Sequence, residues 1–240
     1  MAFLKKIYDS LFKPKQKEEI PVVNMDIKEE FVESVSSVKI ILDAGHGYDT
    51  VGKRSPYSAT GIEPAIEYYE YKWNREIVEK IAIKLSEKGY DVEILVPEDN
   101  DISLSERVRR VNEICDRLGK ENVILVSVHA NAMGNGTKWE KAVGWEAYTS
   151  VGTTKSDRLA DIFYKNAQEM FPDKKIRTDW SDGDIDKEAG FYIIKKSKCV
   201  AILTENFFYD NINEVQFILS GEGREKIVRL HVDSIIEYLK

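Results

Sequence analysis

Two histidines stand where an α/β protein places its chemistry. His46 follows the run VKIILDA, Val38 to Ala44, whose apolar residues suit a buried strand, and it is flanked by Gly45 and Gly47, which break that strand. His129 ends a second run of the same kind, VILVSVHAN, Val123 to Asn131. Loops beyond the carboxyl ends of parallel strands line a shared crevice, so two such turns can face one another. Zinc takes neutral imidazole and carboxylate ligands, and a catalytic site leaves one of four positions open. His46 and His129 supply two nitrogens. The third ligand is expected to be a carboxylate near the start of the next helix, and Glu70 is the candidate. Glu63 and Glu67 lie in the same segment, and spacing does not separate them from Glu70. The alternative is two unrelated histidines, each satisfied by its own neighbours.

The elements that must position these residues are readable from periodicity. Trp73, Ile77, Ile81 and Leu85 recur every four residues, which predicts a helix over 67–88 stopped by Gly89. DVEILV, Asp91 to Val96, reads as a strand. Ser103 and Glu106 have capping-box spacing ahead of a helix whose apolar face is Leu104, Val108, Val111, Cys115 and Leu118. Strands are expected at 123–129, 144–149 and 199–204, with helices at 156–170, 213–220 and 222–239. A polar, aspartate-rich loop from Pro172 to Gly190 precedes Phe191 to Ile194. This alternation predicts one layered α/β domain, a central sheet with helices on both faces, over residues 38–240.

Residues 1–37 differ in character. Phe3, Leu4, Ile7, Leu11 and Phe12 have helical spacing with lysines between them, and Pro14 to Ser37 is linker-like. The segment reads as a tail, as a helix docked on the domain, or as a weak contact with an anionic membrane surface. Lys5, Lys6 and Asp9 interrupt any apolar core of a signal peptide. The 240 residues carry a net charge of −7, which argues against a nucleic-acid partner. Cys115 and Cys199 lack the spacing of a zinc pair and read as buried free thiols.

Four motifs together carry a resemblance: DAGHG at 43–47, E-x-K-x-N at 70–74, SVHAN-A at 127–132 followed by G-x-E-x-Y at 144–148, and T-E-N-F-F at 204–208. In this order and at these intervals the chain resembles the zinc-dependent N-acetylmuramoyl-L-alanine amidases of the type 3 family, from about Val38 to Leu239. The resemblance implies a three-layer α/β/α sandwich with a mixed, mostly parallel sheet. It implies one zinc ion on His46, Glu70 and His129, and Glu205 as the catalytic acid–base. It implies peptidoglycan as partner, cut between N-acetylmuramic acid and L-alanine, for lysis or wall remodelling. The chain departs from the family pattern in its longer GHGYDTVGKRSP turn, in lacking a threonine–arginine pair after the second strand, and in lacking a proline before the last strand. A zinc peptidase and a non-catalytic wall-binding module are the alternatives.

Several residues have two readings. Asn131 contacts substrate or braces its turn. Arg177, Lys53 and Arg54 are candidate partners for stem-peptide carboxylates. Arg107 reads as a structural ion pair and His231 as a packing or surface residue. Asp182, Asp184 and Asp186 resemble the opening of a calcium loop, but Lys187 and Ile193 stand where glycine and glutamate are required, so this loop reads instead as a lid. A monomer is expected. As a phage lysin it would wait in the host cytoplasm before reaching the wall; otherwise it is exported by an unidentified route.

Overall fold

The computed structural model describes residues 37–56, 66–181 and 183–240. The N-terminal amphipathic segment, Glu63 and Asp182 lie outside the described residues. In chain order the elements are β1 (Lys39–Ala44), α1 (Glu70–Ser86), β2 (Val92–Ile94), α2 (Leu104–Leu118), β3 (Val123–Asn131), β4 (Glu146–Thr149), α3 (Asp157–Met170), β5 (Lys187–Glu188), α4 (Tyr192–Lys196), β6 (Val200–Phe208), α5 (Ile212–Leu219) and α6 (Gly221–Leu239). The six strands form one sheet in the order β2-β1-β3-β6-β4-β5. β4 runs antiparallel to β6, and every other pairing is parallel. Among the described residues no helix is long and apolar enough to cross a membrane.

Side chains alternate across the sheet, and the two faces are covered unequally. Ile40, Leu42, Val126, Val128 and Ile202 face one cluster that takes in α1, α3 and α6; Trp73, Ile77, Ile81 and Leu85 are all buried there. Ile41, Leu125, Ala201 and Leu203 face a smaller cluster closed only by α2 and the single turn of α4. The second face therefore has a thinner cover, and its carboxyl-terminal end opens as a cleft.

The helix expected from residue 67 begins instead at Glu70. The backbone at 68–70 is held to the loop after β1, with Ser55 N–H donating to Tyr68 O at 3.0 Å and Glu70 N–H to Lys53 O at 2.9 Å. Ser103 caps α2 as its spacing predicts, accepting from Glu106 N–H. Phe191 to Ile194 lead into the short helix α4, and the two-residue β5 hidden in the polar loop has no sequence signal. Both cysteines are free, Cys115 buried and Cys199 only half-buried.

Candidate metal centre

The turn after β1 sets the first nitrogen. His46 has φ +64°, in the left-handed region that a β-carbon disfavours, and this is the kind of local strain found at functional sites. Its carbonyl is gripped by Arg75 Nη1 at 2.9 Å and Arg107 Nη2 at 3.4 Å, so the turn is over-determined. Asn74, one turn into α1 and fully buried, donates to Gly45 O at 3.1 Å. That bond explains the last position of the E-x-K-x-N motif. Gly45 is required by close approach: a β-carbon there would lie 2.1 Å from His129 Cε1.

Glu70 opens α1 with its side chain 1% exposed. Its Oε1 lies 3.1 Å from His129 Nδ1 and 3.4 Å from His46 Nε2, and it accepts from Ala130 N–H at 3.3 Å. Oε2 is buried without a hydrogen bond, 3.8 Å from Lys53 Nζ. The two imidazoles meet edge to face with centroids 4.9 Å apart. Among the described residues these three are the one group of His, Cys, Asp or Glu whose ligand atoms all lie within 4.8 Å. A buried carboxylate with an unsatisfied oxygen, facing two imidazole nitrogens, is a donor set that suits zinc. Glu67, by contrast, is exposed and bonded to Tyr69.

The charges fit that reading. Burial would raise the Glu70 carboxyl, but the hydrogen bonds from His129 and His46 outweigh it and hold it well below the usual range. Burial lowers the His46 imidazole against the raising pull of Glu70. His129 is pulled down by burial, but its bond to Glu70 and the Glu205, Glu70 and Asp43 charges raise it overall.

Strand register brings the rest together. Asp43 and Ser127 are cross-strand partners, and Glu205 is partner to both His129 and Glu146. All five side chains leave the sheet on its thinly covered face. Asp43 accepts from Arg107 Nη1 at 2.5 Å and Ser127 Oγ at 2.6 Å, so Arg107 forms the buried structural pair its sequence position suggests. Asn206, beside Glu205, donates to His129 O at 2.8 Å and accepts from Trp145 Nε1 at 3.0 Å, tying β3, β6 and β4 together at the site. Burial, with the nearby Glu70 and Glu146 charges, pushes the Glu205 carboxyl up to about 8 against the opposing pull of His129 and Lys53.

Asn131 and Arg177 do not line this cleft. Both turn to Glu146, a 1%-exposed carboxylate that sequence reading did not single out. Asn131 Nδ2 donates to its Oε1 at 2.6 Å, Arg177 Nε to Oε2 at 2.7 Å and Lys187 Nζ to Oε2 at 3.0 Å. The G-x-E-x-Y motif was its one sequence signal. The cleft itself, about 420 Å³, is lined on one side by His46, Lys53, His129 and Glu205 and on the other by Leu104, Phe191, Tyr192 and Ile193. No described residue of the aspartate-rich loop reaches it. Asp186 is instead buried and accepts from Thr149 Oγ1 at 2.7 Å, outside the role of a cleft lid. His231 is a packing residue, fully buried on α6 between Thr204 and Ile227 O.

A family model described as N-acetylmuramoyl-L-alanine amidase matches residues 40–237. The chain is 28% identical to the endolysin of Bacillus phage SPP1 over 208 residues, covering 82% of this chain and 65% of that protein. It is 27% identical to the N-acetylmuramoyl-L-alanine amidase CwlM of Bacillus licheniformis, covering 82% of this chain and 67% of that one. The crystal structure of N-acetylmuramoyl-L-alanine amidase from Clostridium difficile 630 superposes with a TM-score of 0.66 at 25% identity, over 85% of this chain and 97% of that one.

Proposed function

We propose, on the premise that this chain belongs to the N-acetylmuramoyl-L-alanine amidase family, that it hydrolyses the amide between the lactyl group of N-acetylmuramic acid and L-alanine in peptidoglycan. In this reading His46, Glu70 and His129 would hold one zinc ion, with Glu205 as the catalytic residue. The observation that carries this reading is the cross-strand register of His129 with Glu205, which sets an acid–base group beside the donor set. A zinc ion there would polarise the substrate carbonyl and bring the pKa of water down toward neutrality.

The chain's own residues do the rest. Glu205 takes the proton of the attacking water and delivers it to the amide nitrogen as the C–N bond breaks, because an amide expels a poor leaving group unless nitrogen is protonated. A carboxyl poised near neutrality suits a group that must both accept and return a proton. Glu70, anionic and buried, orients both imidazoles, and Lys53 beside it adds positive charge where the carbonyl oxygen gains negative charge. Likeness to a phage endolysin supports lysis of a host wall as the setting.

Purified sacculi treated with the protein, with chelator, and with zinc restored provide the test. Release of peptides beginning with L-alanine, lost with chelator and recovered with zinc, is the expected result. Products cut within the peptide would move the scissile bond, and bound sacculi without release would indicate a wall-binding module.

A further inference from the structure

The two sides of the cleft are chemically unlike. Beyond the donor set, the opposite side is apolar: Ile193 and Leu203 are buried as its base, while Leu104, Phe191 and Tyr192 are left 53%, 40% and 43% exposed at its rim. Large apolar side chains gathered at the mouth of a cleft are surface that a ligand can cover.

Phe191 is also braced more firmly than an exposed ring requires. Its ring packs edge-on against Tyr148, with centroids 5.0 Å apart at 69°. The Tyr148 hydroxyl donates to Glu146 Oε1 at 3.0 Å, and Glu146 is the carboxylate clamped by Asn131, Arg177 and Lys187. Side chains from β3, β4, β5 and the preceding loop thus fix, through Glu146 and Tyr148, the orientation of one aromatic face.

The wall formed by Leu104, Phe191 and Tyr192 carries no ionised group, so it does not complement a stem peptide with free carboxylates. Arg107 is consumed by Asp43, Asp101 and backbone carbonyls. Among the described residues Lys53, 40% exposed, is the other cation lining the cleft, and it lies on the opposite side with the donor set. An uncharged occupant with a flat apolar face is required, and a pyranose ring has one: its C–H face lies on an aromatic ring while its hydroxyls stay in water.

We propose that Phe191 and Tyr192 form the saccharide subsite, stacking the amino-sugar of the substrate, so that the sugar lies on the α4 side of the donor set and the peptide runs toward Lys53 and Thr50. This rests on the amidase reading, because only a bond between sugar and peptide needs one subsite of each kind.

The test uses the full zinc-loaded chain and two probes, peptide-free glycan strands and free stem peptide, with binding followed by calorimetry. Wild-type protein should bind both. Phe191→Ala and Tyr192→Ala should each weaken glycan binding by roughly fivefold to tenfold, as expected for loss of one ring contact, and leave peptide binding unchanged. Phe191→Trp, which keeps an aromatic face, should bind glycan as the wild type does and guards against misfolding of the alanine variant. Absence of glycan binding by the wild type, loss of peptide binding alone, or equal loss of both would overturn the assignment. Peptide release from sacculi, measured on the same samples, tests the reaction separately. Glycan binding that depends on Phe191 without any release would uphold the subsite and refute the amidase.

Discussion

Glu70 and Glu146 are both 1% exposed, one opening α1 and the other opening β4, and they have opposite surroundings. Glu146 is met by two cations and an amide, and both of its oxygens are hydrogen-bonded. Glu70 is met by two imidazoles that are neutral in their ligating form and, at 3.8 Å, by Lys53 alone among cations, and one of its oxygens is buried without a hydrogen bond. Burying a carboxylate is costly unless it is paired. Glu146 is paired by protein alone, whereas Glu70 is arranged with groups that share a preference for a cation. The first arrangement is complete architecture; the second is a receptor.

Removing each carboxylate should therefore fail in a different way. Glu70→Ala should abolish stoichiometric zinc, read by atomic absorption, and bring peptide release down to the uncatalysed background. Glu205→Gln should keep zinc at full stoichiometry while kcat on sacculi falls by about 10²–10⁴-fold, the usual worth of a positioned acid–base group. A variant that lost both metal and rate would place Glu205 with the ligands.

The next effects are on stability. His231 is buried without a counter-charge, and burial pushes its imidazole down to about 4. The unfolded chain binds the proton near pH 6.5, so the native state loses stability as pH falls from about 6.5 to 4, by roughly 3 kcal/mol in all. Thermal melts across that window should show the slope, and His231→Gln should flatten it.

Glu146→Ala should retain zinc, in contrast to Glu70→Ala, but cost about 2 kcal/mol because Arg177 and Lys187 lose their counter-ion. Tm should drop by roughly 4–8 °C at this chain length. Loss of zinc in Glu146→Ala would dissolve the distinction between the two carboxylates. Arg177→Ala, whose partially exposed side chain leaves Lys187 and Asn131 in place, should be the mildest, at about 1 kcal/mol or less.

The same contrast explains what the sequence could reveal. His46 and His129 were legible because glycines and strand ends mark them locally, and the helix faces were legible where burial follows the helical period, which fails at the ends of α2, where Leu104 and Leu118 are exposed. Glu70 could be separated from Glu67 only by the pairing of residues 68–70 with 53–55, which fixes where α1 begins. Glu146 depends on an antiparallel strand set between parallel ones and on partners at 131, 177 and 187, none of which is local. For the same reason the bonds that Asn131 and Arg177 make to Glu146 left no local mark in the sequence. α4 is a five-residue turn, too short for periodicity to mark, yet it presents the aromatic rim of the cleft.

Gly45 has no functional group, yet its missing methyl is what admits the His129 ring. In a mutational library aimed at new wall specificities, positions 191 and 192 are the ones to diversify, whereas position 45 tolerates nothing. One added carbon there would push the His129 ring away from Glu70 and His46 and so dismantle the proposed donor set from a position that supplies no ligand.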